Sequence, residues 1–395
     1  MKILMLTPYL PYPLLSGGQI RSFNLLRKLS KKHEITLFSF IRNQEETKYK
    51  TELLKFCKEV KMFRRRPAWS WINILLSGFS AYPFLVSIYY SRSLKKAIAS
   101  ELKKENFDLI HSETFYVMPN IPKTDVPVLL AEQTIEYLVY KHFVNTVKFL
   151  PLKLLLNLDV LKIKFWEKYF WKKAKKVVAM SEADKKVMLD LVPELPVSIV
   201  PNGVDTDLFF KIKRKASQIP TVLFVGNFKW LQNREAVDEL VQKVWPEIRK
   251  KFSKIKLWIV GRYPSPEIQA YQNQEITVSS DIDDIKKVYA ESDVLLAPIY
   301  GPGGTRYKIL EAMASGLPVV TTSCGIEGLG AVDGVHAIFG DGPKELAAQT
   351  INVLSDEKLR QKLVENGKNL IKADYDWAII ANHLDMLYQQ VSARK

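Results

Sequence analysis

Two doubly wound α/β domains are the fold this sequence predicts, and three observations point to it. Its 395 residues exceed what one ordinary hydrophobic core holds. Short apolar runs alternate with helical stretches in both halves, the pattern of parallel sheets covered on both faces. The alternation restarts after a polar, basic, proline-terminated segment near residues 202–220.

The strands follow in order. KILMLT opens the chain, and EITLFSF comes about thirty residues later, the spacing of a βαβ unit. Between them SGGQIRSFNLLRKLSKK carries apolar residues at helical spacing after a glycine pair, Gly17 and Gly18. DLIHS, VPVLLA, KVVAM and VSIVP continue the first half. TVLFVG, KLWIVG, DVLLAP and LPVVTT repeat the pattern in the second, with helices expected over 233–249, 281–290, 306–315 and 343–372. The expected division is one Rossmann-like domain over residues 1–200 and another over 201–375. A last helix over 376–395 is free to pack back on the first domain.

With 47% apolar and 25% charged residues, the composition is that of a soluble chain with material for two cores. The start lacks the basic flank and cleavage site of a signal peptide, and its apolar run is too short to span a bilayer. Cys57 and Cys324 stand far apart without a CxxC, which argues against disulfide scaffolding and zinc and for a cytoplasmic setting. Lys and Arg outnumber Asp and Glu by 33 to 18 in residues 1–200, but only by 25 to 24 beyond them. One half alone is basic, so an anionic surface is expected to face it.

Two stretches of that half break the αβ rhythm. Pro67 to Ser91 holds no charged residue and follows Arg64, Arg65 and Arg66. Its internal glycine and prolines suit a pair of helices, part buried and part interfacial. Lys141 to Lys176 sets Trp166, Tyr169, Phe170 and Trp171 among many lysines. It reads either as an amphipathic helix on its own sheet or as a membrane-surface helix. The concentration of charge favours the second, with Trp166 and Trp171 inserting shallowly.

The segment DVLLAPIYGPGGTRYKILEAMASGLPVVTT, residues 293–322, carries the chemistry. A buried strand runs into a glycine-rich loop, and a helix is expected from near Thr305. Gly303 and Gly304 permit close backbone approach to a ligand. Thr305 caps the helix and leaves the amides of Arg306 and Tyr307 aimed at an anion. Arg306 and Lys308 add two cations for a diphosphate. Glu311 lies about 7.5 Å further along the helix, a reach that suits ribose hydroxyls.

This block resembles the donor-binding motif of glycosyltransferase family 4, retaining enzymes of the GT-B fold. FDLIHSE, VVAMSEADK, VPNGVDTDLF, LFVGNFKWLQNREAV and LWIVGR stand in the family's order along nearly the whole chain. The resemblance implies two Rossmann-like domains facing a central cleft. It implies that Gly17 and Gly18 form a loop closing over the donor, and that Lys229 approaches its diphosphate. Arg262 would line the nucleotide cleft, while Ile282 and Asp283 would border the base. Glu311 matches the second glutamate of the family's E-x7-E pattern. The first glutamate is replaced by Gly303, within a GTRYK loop of a kind found in a subgroup of the family. In AEQTIEY, Gln133 stands at a usual histidine position and Glu136 at a glutamate position, both toward acceptor or sugar. Gln133 forms hydrogen bonds but transfers no proton at neutral pH.

No histidine pair offers a metal site, and neither a metal nor a cofactor is expected. Arg306, Lys308, Lys229 and helix-start amides would then stabilise the leaving diphosphate. The expected partners are a nucleotide-sugar donor, a lipid-linked or glycan acceptor and an anionic membrane surface, with the protein peripheral on its cytoplasmic face. Nucleic acid is disfavoured because the aromatics sit on long apolar stretches. A nicotinamide enzyme is disfavoured because no G-x-G-x-x-G follows the first strand. A GT-B module that binds nucleotide-sugar without turnover is the alternative, given Gly303 and Gln133.

Overall fold

The computed structural model describes residues 1–214, 219–280, 282–301 and 307–393. Its contacts divide the chain into two compact units, residues 1–201 with 380–395, and residues 202–379.

The first unit is built on seven parallel strands: β1 (Lys2–Thr7), β2 (Glu34–Ile41), β3 (Glu59–Arg64), β4 (Leu109–Glu113), β5 (Val128–Ala131), β6 (Lys176–Ala179) and β7 (Val197–Ile199). Their order is β3-β2-β1-β4-β5-β6-β7. The inner strands are buried along nearly their whole length, as continuous apolar runs require in a sheet covered on both faces. Five of its helices bear on function: α1 (Gly17–Leu29), α2 (Trp71–Phe79), α3 (Phe84–Tyr89), α4 (Glu136–Thr146) and α5 (Leu150–Lys173). The uncharged stretch is thus a helix pair, and the lysine-rich stretch is two helices parted after Thr146.

The second unit has six parallel strands: β8 (Thr221–Asn227), β9 (Lys256–Arg262), β10 (Ile276–Ser279), β11 (Val294–Ala297), β12 (Val319–Thr321) and β13 (Ile338–Phe339). Their order is β10-β9-β8-β11-β12-β13. The connections from β8 run to β9 on one side and eventually to β11 on the other. The sheet therefore reverses its winding between β8 and β11, and ligands of open α/β sheets bind outside the carboxyl ends at such a point. Around it lie α6 (Leu231–Glu239), α7 (Ile285–Ala290) and α8 (Tyr307–Ala314), followed by α9 (Pro343–Ser355) and α10 (Glu357–Leu370). The helix expected over 343–372 breaks at Asp356, whose side chain accepts the Leu359 N–H and caps α10. Similarly, Asp284 caps α7 by accepting the Lys286 N–H, so that helix starts later than 281.

The segment read as a linker is fastened to the second unit. Val204 donates its N–H to the Tyr375 carbonyl at 2.8 Å, and Phe209 is buried against Tyr289. The final helix, α11 (Trp377–Ser392), joins the first unit from Ile380 onward. There Asp385 accepts from Lys32 at 2.8 Å and pairs with His33 at 2.9 Å.

Two membrane expectations need correction. Trp171 is fully buried, its indole N–H donating to Glu132 Oε1. Trp166 donates to the Ala81 carbonyl at 2.8 Å and packs on Tyr82 and Phe170. Trp171 is therefore not presented for insertion, whereas Trp166 stays partly exposed with its N–H satisfied. Arg66 also turns inward, donating to Asn73 Oδ1 and the Ser87 carbonyl, and Arg65 lies over the Tyr89 ring. Among the three arginines, Arg64 is the exposed one.

Candidate active site

In the second unit, the predicted donor residues gather at the carboxyl edge of the sheet. β8 and β9 end in register, with Gly226 opposite Gly261 and Asn227 opposite Arg262. A Cβ on Gly261 would stand 1.7 Å from the Gly226 carbonyl oxygen, so only glycine lets these strand ends meet. Arg262 closes β9, and Lys229 follows β8 with its ammonium 3.5 Å from the centre of the Tyr263 ring.

Lys308, in the first turn of α8, spans the reversal point. Its ammonium donates to Asn233 Oδ1 of α6 at 2.7 Å and lies over the Phe224 ring. Asn233 in turn donates to the Asn227 carbonyl at 2.9 Å. The helix after β8 and the helix after β11 are thereby tied together by the predicted phosphate cation. Tyr307 opens α8 and is partly buried. Gly303, Gly304, Thr305 and Arg306 lie outside the described residues.

Glu311 stands one turn beyond Lys308. Its Oε2 accepts a hydrogen bond from Tyr289, a fully buried residue of α7, at 2.8 Å. Burial pushes the Glu311 carboxyl up to about 7, against the opposing pull of the Tyr289 hydroxyl and the Lys308 charge. Ile282 packs at the edge of the same apolar cluster as Tyr289, close in sequence to Asp283. Tyr289 was not expected from sequence. An aromatic in a short helix is an ordinary core residue until its hydroxyl is seen to meet a carboxylate.

In the first unit, Gly18 and Gln133 come together although far apart in sequence. A Cβ on Gly18 would lie 1.9 Å from the Tyr9 hydroxyl and 2.5 Å from Gln133 Oε1. Tyr9 donates to that oxygen at 2.8 Å, and Gln133 Nε2 donates to Glu113 Oε2 at 2.6 Å. Gly17 begins α1 beside Gly18. Glu113 is fully buried at the end of β4. Burial raises its carboxyl, yet His111, Arg21 and Gln133 together hold it below the ordinary range. His111 continues the chain of contacts to the hydroxyl of Tyr388. Glu113 and Tyr9 were missed. The one sequence signal was an acid closing an otherwise apolar strand.

Glu136 opens α4. Its N–H and that of Tyr137 donate to Glu167 of α5, at 2.7 and 3.1 Å. Burial pushes the Glu136 carboxyl up to about 7. Gln133 and Glu136 thus share one short connection after β5.

Models of known families match both units of the chain. The model of Glycosyltransferase Family 4 matches residues 15–208, and that of Glycosyl transferases group 1 matches residues 219–356. The chain belongs to glycosyltransferase family 4.

This glycosyltransferase is 24% identical over 389 residues to a Klebsiella pneumoniae protein described as an uncharacterized 44.6 kDa protein in the cps region; the match covers 95% of this chain and 96% of that one. It is 26% identical over 225 residues to the phosphatidyl-myo-inositol mannosyltransferase of Mycobacterium leprae (strain TN). That match takes in 54% of this chain and 59% of the mannosyltransferase. Among solved structures, HepE of Anabaena in complex with UDP and glucose aligns with a TM-score of 0.65 and 16% identity. The alignment covers 99% of the transferase and 100% of HepE, a likeness of fold. The two parallel sheets are the Rossmann-like domains of a GT-B glycosyltransferase.

Proposed function

We propose that this glycosyltransferase moves a sugar from a nucleoside-diphosphate donor to a membrane-proximal, lipid-linked or glycan acceptor, with retention and without a metal. The observation that carries the reading is the Lys308–Glu311 turn of α8 at the reversal point of the second sheet. It sets a cation and a carboxyl with a raised pKa one helical turn apart, at the edge where α/β sheets take nucleotides. Lys308, Lys229 and Arg262 supply positive charge for a diphosphate, and Arg306 adds a bidentate donor. Glu311 offers its Oε1 to ribose hydroxyls while Tyr289 holds Oε2. HepE, of the same fold, is named in complex with UDP and glucose, which favours a nucleotide-sugar donor of that kind.

As the bond from the anomeric carbon to the diphosphate oxygen breaks, negative charge grows on the leaving group and the cations stabilise it. The acceptor oxygen bonds to the same face of that carbon and yields its proton to a donor phosphate oxygen. Gln133 holds a sugar hydroxyl without exchanging a proton, consistent with Gly303 replacing the family's first glutamate. The first unit takes the acceptor, and the second the donor. The mycobacterial relative is named for phosphatidyl-myo-inositol, a lipid, which supports an acceptor at the anionic inner face of a membrane.

A thermal-shift screen of nucleotide-sugars tests the donor, because a ligand that binds only the native state raises its stability. A rise with one nucleotide series and no other identifies it, and no rise with any of them overturns the reading. The anomeric configuration of the product then tests retention.

A further inference from the structure

The first unit carries an apolar surface that its own core leaves open. On α5, Leu150, Leu154, Leu158, Leu161 and Phe165 follow one another at three- and four-residue spacing, so they share one side of the helix. They are between 58% and 64% exposed. The opposite side is buried through Val160, Ile163, Glu167, Phe170 and Trp171. Residues in and beside α2 extend this open surface: Trp69, Trp71 and Phe79 are 82%, 69% and 89% exposed. The two helices are laced side by side. Ser77 donates to Asp159, and Lys162 donates to the carbonyls of Ser77 and Ser80, at 2.6 and 2.9 Å. An apolar patch of this extent marks a binding surface.

Charge decides the occupant. Between Glu136 and Glu182 the chain has two acids, Asp159 and Glu167, and both turn inward. Asp159 accepts from Ser77 and from the Phe84 N–H, while Glu167 is fully buried under α4. Lys172, Lys173 and Lys175 stay exposed at the end of α5 and just past it. A second copy of this chain would set lysines against lysines. A bilayer with anionic headgroups offers hydrocarbon to the leucines and phosphate to the lysines in one surface.

The inner side of α5 adds a further link. Glu167 holds the start of α4, and Trp171 donates to Glu132 Oε1 at 3.2 Å. One helix therefore faces outward with its apolar side and holds both ends of the Glu132–Tyr137 connection with the other. We infer that the α2–α5 face seats in an anionic bilayer, and that a lipid-linked acceptor reaches Gln133 and Glu136 alongside α5. The second half of this inference rests on the acceptor reading of those two residues.

Flotation of the full chain with vesicles tests it, using phosphatidylcholine alone or mixed with phosphatidylglycerol, at low and high salt. Wild type should float with the anionic vesicles. The Leu154→Gln/Leu158→Gln/Leu161→Gln variant should lose at least tenfold in partitioning at either salt. Lys172→Glu/Lys173→Glu should lose most at low salt, where charge is least screened. Hydrogen exchange on vesicles should slow across residues 71–79 and 150–165, and also across 132–137. Protection of the two helices without residues 132–137 overturns the acceptor route. Equal flotation of wild type and the leucine variant overturns the docking face. So does a lipid-free dimer that the leucine variant abolishes. Thermal midpoints and stabilisation by UDP, measured on the same variants, report folding and the donor site. A loss of UDP binding with flotation intact therefore counts against the donor reading alone.

Discussion

Tyr289 and Glu311 face each other across 2.8 Å inside the second unit, the tyrosine hydroxyl donating to the carboxyl. Burial raises both groups, Tyr289 well above the ordinary phenol range and Glu311 to about 7. A carboxyl poised there changes charge within the working pH range, and this has consequences for the donor.

The first consequence is a pH-dependent affinity. The folded Glu311 value of about 7 exceeds the ordinary 4.5, so its contribution to stability is complete below 4.5 and is lost as pH rises through 7. Ribose hydroxyls bind the charged form, so donor affinity should run the other way and rise several-fold between about pH 6 and pH 8. Glu311→Gln should flatten that profile and weaken binding by roughly tenfold, in line with a charge-assisted hydrogen bond of about 1.5–3 kcal/mol. Calorimetry across the pH series checks both, and a flat wild-type profile removes Glu311 from the ribose.

Tyr289→Phe keeps the ring and deletes the donor. The loss of one buried hydrogen bond should cost about 0.5–1.5 kcal/mol in urea unfolding. The Glu311 carboxyl, without the hydroxyl that favours its charged form, should move further up, and the rise in donor affinity should shift to higher pH. Unfolding curves and the calorimetric series on this variant measure the two effects separately.

Lys308→Ala and Arg306→Ala should lower kcat by about tenfold or more while raising KM less, because leaving-group charge is greatest at the transition state. Asn233→Ala, which removes the partner that steadies Lys308 and the bond to the Asn227 carbonyl but neither cation, should show a smaller loss in kcat. Turnover should persist in EDTA. Abolition by chelation with recovery in magnesium would overturn metal independence.

Gly18→Ala would place a methyl within 1.9 Å of the Tyr9 hydroxyl. Overpacking of this kind costs about 1–3 kcal/mol, and the displaced Gln133 should reduce turnover along with it. Tyr9→Ala in the same chain removes both the hydroxyl and the ring carbon 2.5 Å from that methyl, and should restore part of the stability lost to the clash. If Gly18→Ala alone matches wild type in melting and rate, the contact with Gln133 is unimportant.

Much of this fold is legible before any coordinates. Buried parallel strands such as VLLA of β11 and VLF within β8 are uninterrupted apolar runs because both faces of the sheet are covered. Lys308 and Glu311 are legible as a pair because one helix sets their spacing, which needs no knowledge of the rest of the chain. Gly18 and Gln133 are each legible as candidates, but their meeting is not.

What the sequence by itself determined is therefore the local part: the order of strands and helices, the cation and carboxyl of α8, and the imbalance of charge between the halves. The tertiary structure decided which distant groups meet, placing Tyr289 on Glu311, Asn233 on Lys308 and Glu113 beneath Gln133. It also decided which side of α5 is outside. That helix has apolar residues on opposite sides, so its periodicity selects neither. Trp171 turns inward because Glu132 accepts its N–H, leaving the leucine face exposed. A hydrogen bond to a group some forty residues away depends on how elements pack, and no spacing within the helix encodes it.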